Sequence, residues 1–183
     1  MKKIGDRISF EKHEGFFTVI ISTKIDKWKE NSMLGWLIAW TFCGCSFIYY
    51  FFNGFLNGNE KLTLFVMIVF WLYFQIRITR AYLWRRFGIE FIRIDEDRLT
   101  IKRSILGYGR AIPIVTSNIE KITPADLNEK SYAKVFNDSF WLIGKGTIHM
   151  KAKDNDVYFG SQLGAQDSSK LAKEIMKMVG SFR

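Results

Sequence analysis

Cysteine, proline and histidine are scarce in this chain of 183 residues, which contains two of each. Because both cysteines, Cys43 and Cys45, lie in one apolar run, a framework of disulfide bonds is excluded, and a reducing compartment is consistent with the sequence. On a helix the two thiols would point in nearly opposite directions, and neither His13 nor His149 has partners at a recognised metal-ligand spacing. We therefore expect no metal site and no cofactor.

Patterns that carry catalysis are also missing. The glycines of "GYGR" and "GKG" lack the spacing before a helix that a phosphate-binding loop requires, and we interpret them as turns. Ser104 and Ser139 have no nearby histidine or lysine in an activating pattern. The sequence predicts a protein that is not an enzyme and has no identified small-molecule substrate.

One stretch without any charged side chain, "MLGWLIAWTFCGCSFIYYFFNGFL", covers residues 33–56. As a helix it would be about 36 Å long, slightly more than the hydrocarbon core of a bilayer, which is about 30 Å thick. A cleavable leader would have a shorter apolar region at the extreme N-terminus and an A-x-A-like site after it, and no such site follows here. We interpret the stretch as a transmembrane helix.

A second apolar run covers residues 62–84 and contains two charges, Arg77 and Arg80. Its uncharged part is too short to cross a bilayer, so we expect the helix to continue past both arginines, which would face protein or reach toward headgroups. No acidic residue occurs in either run, which argues against a proton relay or an ion pathway. The segment "NGNEK" between the runs predicts a tight turn and thus an antiparallel hairpin.

Lysine and arginine flank this hairpin unequally. Seven of them precede the first run, four arginines end or follow the second, and the connecting turn has only Lys61. By the positive-inside rule, both termini are predicted to be cytoplasmic. The net charge of +9 includes no dense basic run, which fits proximity to anionic lipid better than binding of nucleic acid.

The rest of the chain is typical of a β domain with one helix. Residues 1–32 contain two strand-like pieces that would be marginal alone, so we expect them to pair with strands of residues 85–183. Pro113 predicts an edge strand or a strand end, and residues 165–179 have the period of an amphipathic helix. The predicted fold class is α+β, with a transmembrane hairpin inserted near the start of one cytoplasmic domain. Strand boundaries in residues 118–145 stay open.

Three segments carry a family resemblance: "GWLIAW" in the first run, "FGIEFIRIDEDRLTIKRSILGYGRAIPI" after the second, and "VYFGSQLGAQDSSKLAKEIM" near the C-terminus. In this order they resemble uncharacterised bacterial proteins with two transmembrane helices and a pleckstrin-homology-like (PH-like) cytoplasmic domain. The resemblance implies a PH-like β-barrel or sandwich with a C-terminal helix, a place in the bacterial inner membrane and no established enzymatic activity. The layout is also similar to a photosystem I assembly factor, which implies a scaffold role by analogy.

Four residues of the first run are candidates for contact with another helix: Trp36, Trp40, Cys43 and Gly44. Small residues such as Cys43 and Gly44 let a neighbouring helix approach closely, whether it is the second span or belongs to another subunit. Aromatic residues form 16% of the chain, and most lie in or beside the two runs. This excess favours a surface for other membrane helices.

Four arginines near the end of the second run, Arg77, Arg80, Arg85 and Arg86, are candidates for a lipid or partner interface. Arg77 and Arg80 either end the span early and reach the phosphates, or meet acidic groups of a partner within the membrane. Four cations in ten residues would also suit the headgroup of an anionic lipid.

The leading hypothesis for function is a non-enzymatic accessory or scaffold subunit that docks on a larger membrane protein complex through the hairpin and the PH-like domain. The alternative is a membrane-anchored protein that senses anionic lipid or regulates a process, and its lipid binding would weaken with salt. The expected partners are membrane lipids and that larger complex.

Overall fold

Two long apolar helices lie between adjacent strands of one antiparallel sheet. The structure is a computed structural model that describes residues 2–125, 139–153 and 155–182, so the strand boundaries left open in 118–145 fall partly outside it. The fold is α+β, as predicted. Its helices are α1 (Lys27–Asn53), α2 (Gly58–Phe87) and α3 (Ala165–Gly180). Its strands are β1 (Lys2–Ile4), β2 (Ile8–His13), β3 (Phe16–Ser22), β4 (Gly88–Ile94), β5 (Arg98–Ile105), β6 (Ala111–Val115), β7 (Ile119–Pro124), β8 (Ile148–Ala152) and β9 (Asp156–Phe159).

The first sheet contains β1 to β6 in chain order, and each strand is antiparallel to the next. β3 pairs with β4, with Phe17 opposite Ile94, so the N-terminal strands extend the sheet of the C-terminal region, as expected. β6 is the last strand of this sheet, and its Pro113 lies opposite Thr100. A proline lacks the N–H group that a central strand would use, which explains the edge position.

The second sheet, β7 to β9, packs together with α3 on the first sheet to form one core. The helix face predicted from the sequence is buried, with Leu171, Ile175 and Val179 fully enclosed. In the described residues the two sheets are separate and form no closed barrel, so the barrel alternative is wrong for this part of the chain. The reason is that β6 is not hydrogen-bonded to β1 or to β7.

α1 and α2 are each long and apolar enough to cross a bilayer, judged by length and composition. Their 27 and 30 residues correspond to helices of about 40 and 45 Å, against about 30 Å of bilayer hydrocarbon. Large apolar side chains are exposed along both helices, among them Ile38, Phe42, Phe52, Phe65 and Phe70. Such a surface is typical of helices that face lipid.

The helix bounds differ from the predicted spans of residues 33–56 and 62–84. α1 begins six residues earlier than predicted and ends at Asn53. Asn57 and Glu60 form a capping box at the start of α2: the Glu60 N–H donates to Asn57 Oδ1 and the Asn57 N–H to Glu60 Oε2, each at 3.0 Å. Most of the predicted turn "NGNEK" is therefore the first turn of a helix.

The two helices are in tight contact where Gly44 faces Trp71. A Cβ atom on Gly44 would lie 1.8 Å from Cε2 of Trp71, so no side chain fits there. The Trp71 indole N–H donates to the Trp40 carbonyl oxygen at 2.8 Å, and the Gln75 amide donates to the Thr41 hydroxyl at 2.9 Å. Close approach at a small residue and hydrogen bonds between helices are the means by which membrane helices associate.

We expect Gly44→Ala to lower the free energy of unfolding by about 2 kcal/mol, because even a methyl group would overlap the indole of Trp71. Gly35→Ala is the matched control on the same helix, since a Cβ atom at Gly35 meets no atom within 4 Å. Circular dichroism of the detergent-solubilised protein should show a lower unfolding midpoint for Gly44→Ala and an unchanged or raised midpoint for Gly35→Ala. Equal midpoints would contradict this packing.

Candidate functional site at the base of the hairpin

The hairpin joins the sheet through very short connections. Four residues separate β3 from α1, and none separates α2 from β4. The Thr23 hydroxyl lies 2.5 Å from the carbonyl oxygen of Trp84 and 2.7 Å from that of Gly88, so its proton links the end of β3 to the end of α2. A Cβ atom on Gly88 would lie 2.2 Å from the Trp84 carbonyl oxygen, which requires glycine where the helix passes into the strand.

Arg85, in the last turn of α2, lies inside the protein with 1% of its surface exposed. Its guanidinium donates to the carbonyl oxygens of Leu142 at 2.7 Å, Ser139 at 3.3 Å and Phe140 at 3.4 Å. These dipoles replace part of the water that a buried cation loses, whereas Nη1 of Arg85 is buried without a hydrogen-bond partner among the described residues. The prediction that Arg85 faces a lipid or a partner is therefore wrong, because its side chain turns toward residues 139–142 of its own chain.

The other three arginines of the predicted interface are exposed. Arg86 pairs with Glu30, which ties the last turn of α2 to the first turn of α1. In the described part of the chain, neither Arg77 nor Arg80 has an ion pair. That these residues meet lipid or a partner stays a prediction.

Aromatic rings of α1 lie against the same segment, residues 139–142. Trp28 packs on Phe140 with ring centroids 6.2 Å apart, and Trp36 packs on Trp141 at 5.8 Å. Edge-to-face pairs of this kind add to the stabilisation from burial alone. Both helices of the hairpin therefore contact one short segment of the β domain.

The predicted helix-contact residues have different surroundings. Trp40 and Gly44 contact α2 of the same chain, which was one of the two alternatives. Trp36 stacks on Trp40 at a centroid distance of 5.0 Å and also contacts the β domain. Cys43 is an exposed free thiol, and its contact with a helix of another protein stays a prediction.

A buried charge network beside the junction was not predicted. The carboxylate of Glu90, on β4, has no exposed surface and accepts from Arg103 Nε at 2.9 Å and from the Ser161 hydroxyl at 2.8 Å. The backbone N–H groups of Gly160 and Ser161 donate to the same carboxylate at 2.5 and 3.3 Å. These four charge-assisted hydrogen bonds connect β4 to β5 and to the loop before α3. The sequence contained one signal for the burial of Glu90: in a strand, Glu90 lies on the same face as the apolar residue Ile92.

Arg7, between β1 and β2, is a second charged residue that sequence reasoning missed. It donates to the carbonyl oxygens of Ser22 and Gln162 at 2.8 Å and of Ser161 at 3.0 Å. Desolvation lowers the pKa of Arg7, and the negative charge of Glu90 opposes this shift. The guanidinium remains charged and holds the loop before α3 through the carbonyl groups of Ser161 and Gln162.

The charges of this site bind carbonyl groups, amides and each other, which is a positioning role. In residues 2–125, 139–153 and 155–182, no group of three or more histidine, cysteine, aspartate or glutamate side chains could hold a metal ion. A scan against protein-family models found no match to the chain, and a search of the curated proteins also found none. A function for this protein therefore has to be inferred from the geometry of its structure.

Replacing Arg85 by methionine should loosen the base of the hairpin, because three carbonyl groups would lose their donor. We expect a loss of about 3 kcal/mol in the free energy of unfolding. Arg86→Gln is the matched control, since it removes the same charge from an exposed neighbour and should leave the stability nearly unchanged. Thermal unfolding by circular dichroism would separate the two variants, and similar midpoints would contradict the role of Arg85.

Glu90→Gln keeps the side-chain shape but removes the charge that four donors surround. We expect it to cost about 3 kcal/mol, because the Arg103 guanidinium would lose its counter-charge. Glu120→Gln, which breaks an exposed pair with Lys151, should change the stability little. Urea unfolding followed by tryptophan fluorescence measures both, and an unchanged midpoint for Glu90→Gln would show that the network does not stabilise the fold.

Proposed function

We propose that this protein is a non-enzymatic accessory or scaffold subunit of a larger membrane protein complex. In this proposal α1 and α2 span the bacterial inner membrane as a hairpin, both termini are cytoplasmic, and the β domain docks on the cytoplasmic face of the complex. Residues of α1 that are exposed, Cys43 among them, contact helices of that complex.

The observation that carries this proposal is the rigid base of the hairpin. Only four residues join β3 to α1 and none separates α2 from β4. Arg85 and the aromatic residues of α1 attach both helices to residues 139–142. A β domain attached in this way keeps a fixed distance and orientation relative to the two helices. Such a geometry suits a subunit that has to present one surface at a set distance from the bilayer, whereas a tethered domain that searches for partners needs a flexible linker.

The placement of charge supports the proposed orientation. Both ends of the hairpin emerge from adjacent strands, so the two termini and the β domain lie on one side of the proposed membrane. Lysines and arginines are concentrated at this end, whereas the opposite end has only Lys61. This asymmetry agrees with the positive-inside rule.

Two antiparallel sheets followed by α3 also support the proposal that the cytoplasmic part is PH-like. A split sheet structure with a C-terminal helix is what the family resemblance implies, and the order of the elements agrees with it. In this interpretation, the hairpin is an insertion between two adjacent strands, β3 and β4. The β domain would then supply a binding surface, since this fold type alone does not define an activity.

Native mass spectrometry of the protein extracted in mild detergent tests the proposal. We expect the 21.5 kDa chain to appear in a larger assembly with a constant set of subunits. Arg85→Met should stay in the membrane fraction but lose the assembly, because its β domain is no longer held, whereas Arg86→Gln should retain it. A monomer with lipid alone in the wild type would overturn the proposal.

A further inference from the structure

A basic pocket lies between the end of α2 and the turn that joins β5 to β6. Its volume is about 380 Å³, and its polar wall is formed by Arg80, Arg103, Tyr108 and Arg110. The rest of the wall includes Tyr158 and is otherwise mainly apolar, with contributions from Trp84 and from Ile112 and other aliphatic residues. None of the residues that line this basic pocket is acidic.

The arginines of the basic pocket differ in whether their charge is already compensated. Arg103 binds the buried carboxylate of Glu90 and donates to the Tyr158 carbonyl oxygen at 3.0 Å, so its position is set by the fold. Arg80 and Arg110 are exposed and have no ion pair among the described residues. Two cations without an ion pair, lining one cavity together with an apolar wall, favour an anionic amphiphile.

The depth of the basic pocket agrees with such a ligand. Arg80 precedes the end of α2 at Phe87 by seven residues, which places it about 10 Å along the helix toward the proposed membrane. The turn beside it projects Leu106 and Tyr108 into solvent with 62% and 85% of their surface exposed. An exposed leucine and tyrosine at this level suit the interface between headgroups and water, where tyrosine is enriched.

We propose that the basic pocket binds the phosphate of one anionic phospholipid, with Arg80 and Arg110 contacting the phosphate and Ile112 beside the glycerol end of the acyl chains. A soluble phosphate would use the arginines but not the apolar wall, so the lipid is the ligand that the geometry favours. The inference rests on the membrane placement in the proposed function and does not depend on docking to a larger complex.

Native mass spectrometry with phosphatidylglycerol in detergent micelles is the test. We expect the wild type to retain one lipid, and Arg80→Gln with Arg110→Gln to weaken binding about thirtyfold, since each cation near an anionic headgroup contributes to affinity. Arg98→Gln with Lys121→Gln is the matched control. It removes two exposed cations, one from β5 and one from β7, that lie outside the basic pocket and outside the predicted lipid interface, and its binding should stay within about twofold of the wild type.

Equal weakening in the two double variants, or none in either, would overturn the proposal. Displacement of the lipid from the wild type by inorganic phosphate alone would overturn it in favour of a soluble ligand. Circular dichroism melting shows whether each variant is folded, and a folded variant of the basic pocket that loses lipid supports the proposal. Alkaline extraction of membranes measures insertion separately, so failure of the membrane placement is distinguished from failure of the basic pocket.

Discussion

The relation between the helical hairpin and the β domain depends on the burial of the Arg85 guanidinium. A cation taken out of water is stable only if other dipoles surround it, and here the carbonyl groups of residues 139–142 do so. The same segment packs against Trp28 and Trp36 of α1. One short stretch of chain therefore contacts both helices and fixes their position relative to the β domain.

The position of the hairpin in the sheet adds a second constraint. Neighbouring strands lie about 4.8 Å apart, whereas packed helices have axes about 8–10 Å apart. The distance between the two chain segments therefore has to increase where the strands β3 and β4 pass into the hairpin. Gly88 and the Thr23 hydroxyl occupy the place where this change occurs. Two residues further along β4, Glu90 binds the loop before α3. A continuous set of contacts thus connects the proposed membrane segment to the second sheet.

Local patterns predicted much of the architecture and little of the site. The pairing of the N-terminal strands, the edge position of Pro113 and the buried face of α3 follow from alternation, period and the chemistry of single residues. Arg85 and Arg86 are neighbours of one type, yet only the first is buried. Its hydrogen-bond partners lie more than 50 residues further along the chain, where no pattern in the helix reports them.

From residue order alone, apolar length indicates two membrane-compatible helices, the polar segment between them indicates a hairpin, and alternation of apolar residues indicates a β domain. These are additive properties of neighbouring residues, so they need no knowledge of the fold. Long-range packing decided the rest: that Gly44 receives Trp71 of its own chain, that Glu90 is enclosed, and that Arg80 and Arg110 border one cavity. Whether a charge is exposed or buried depends on which distant segment supplies its partner, and only the folded chain brings those segments together.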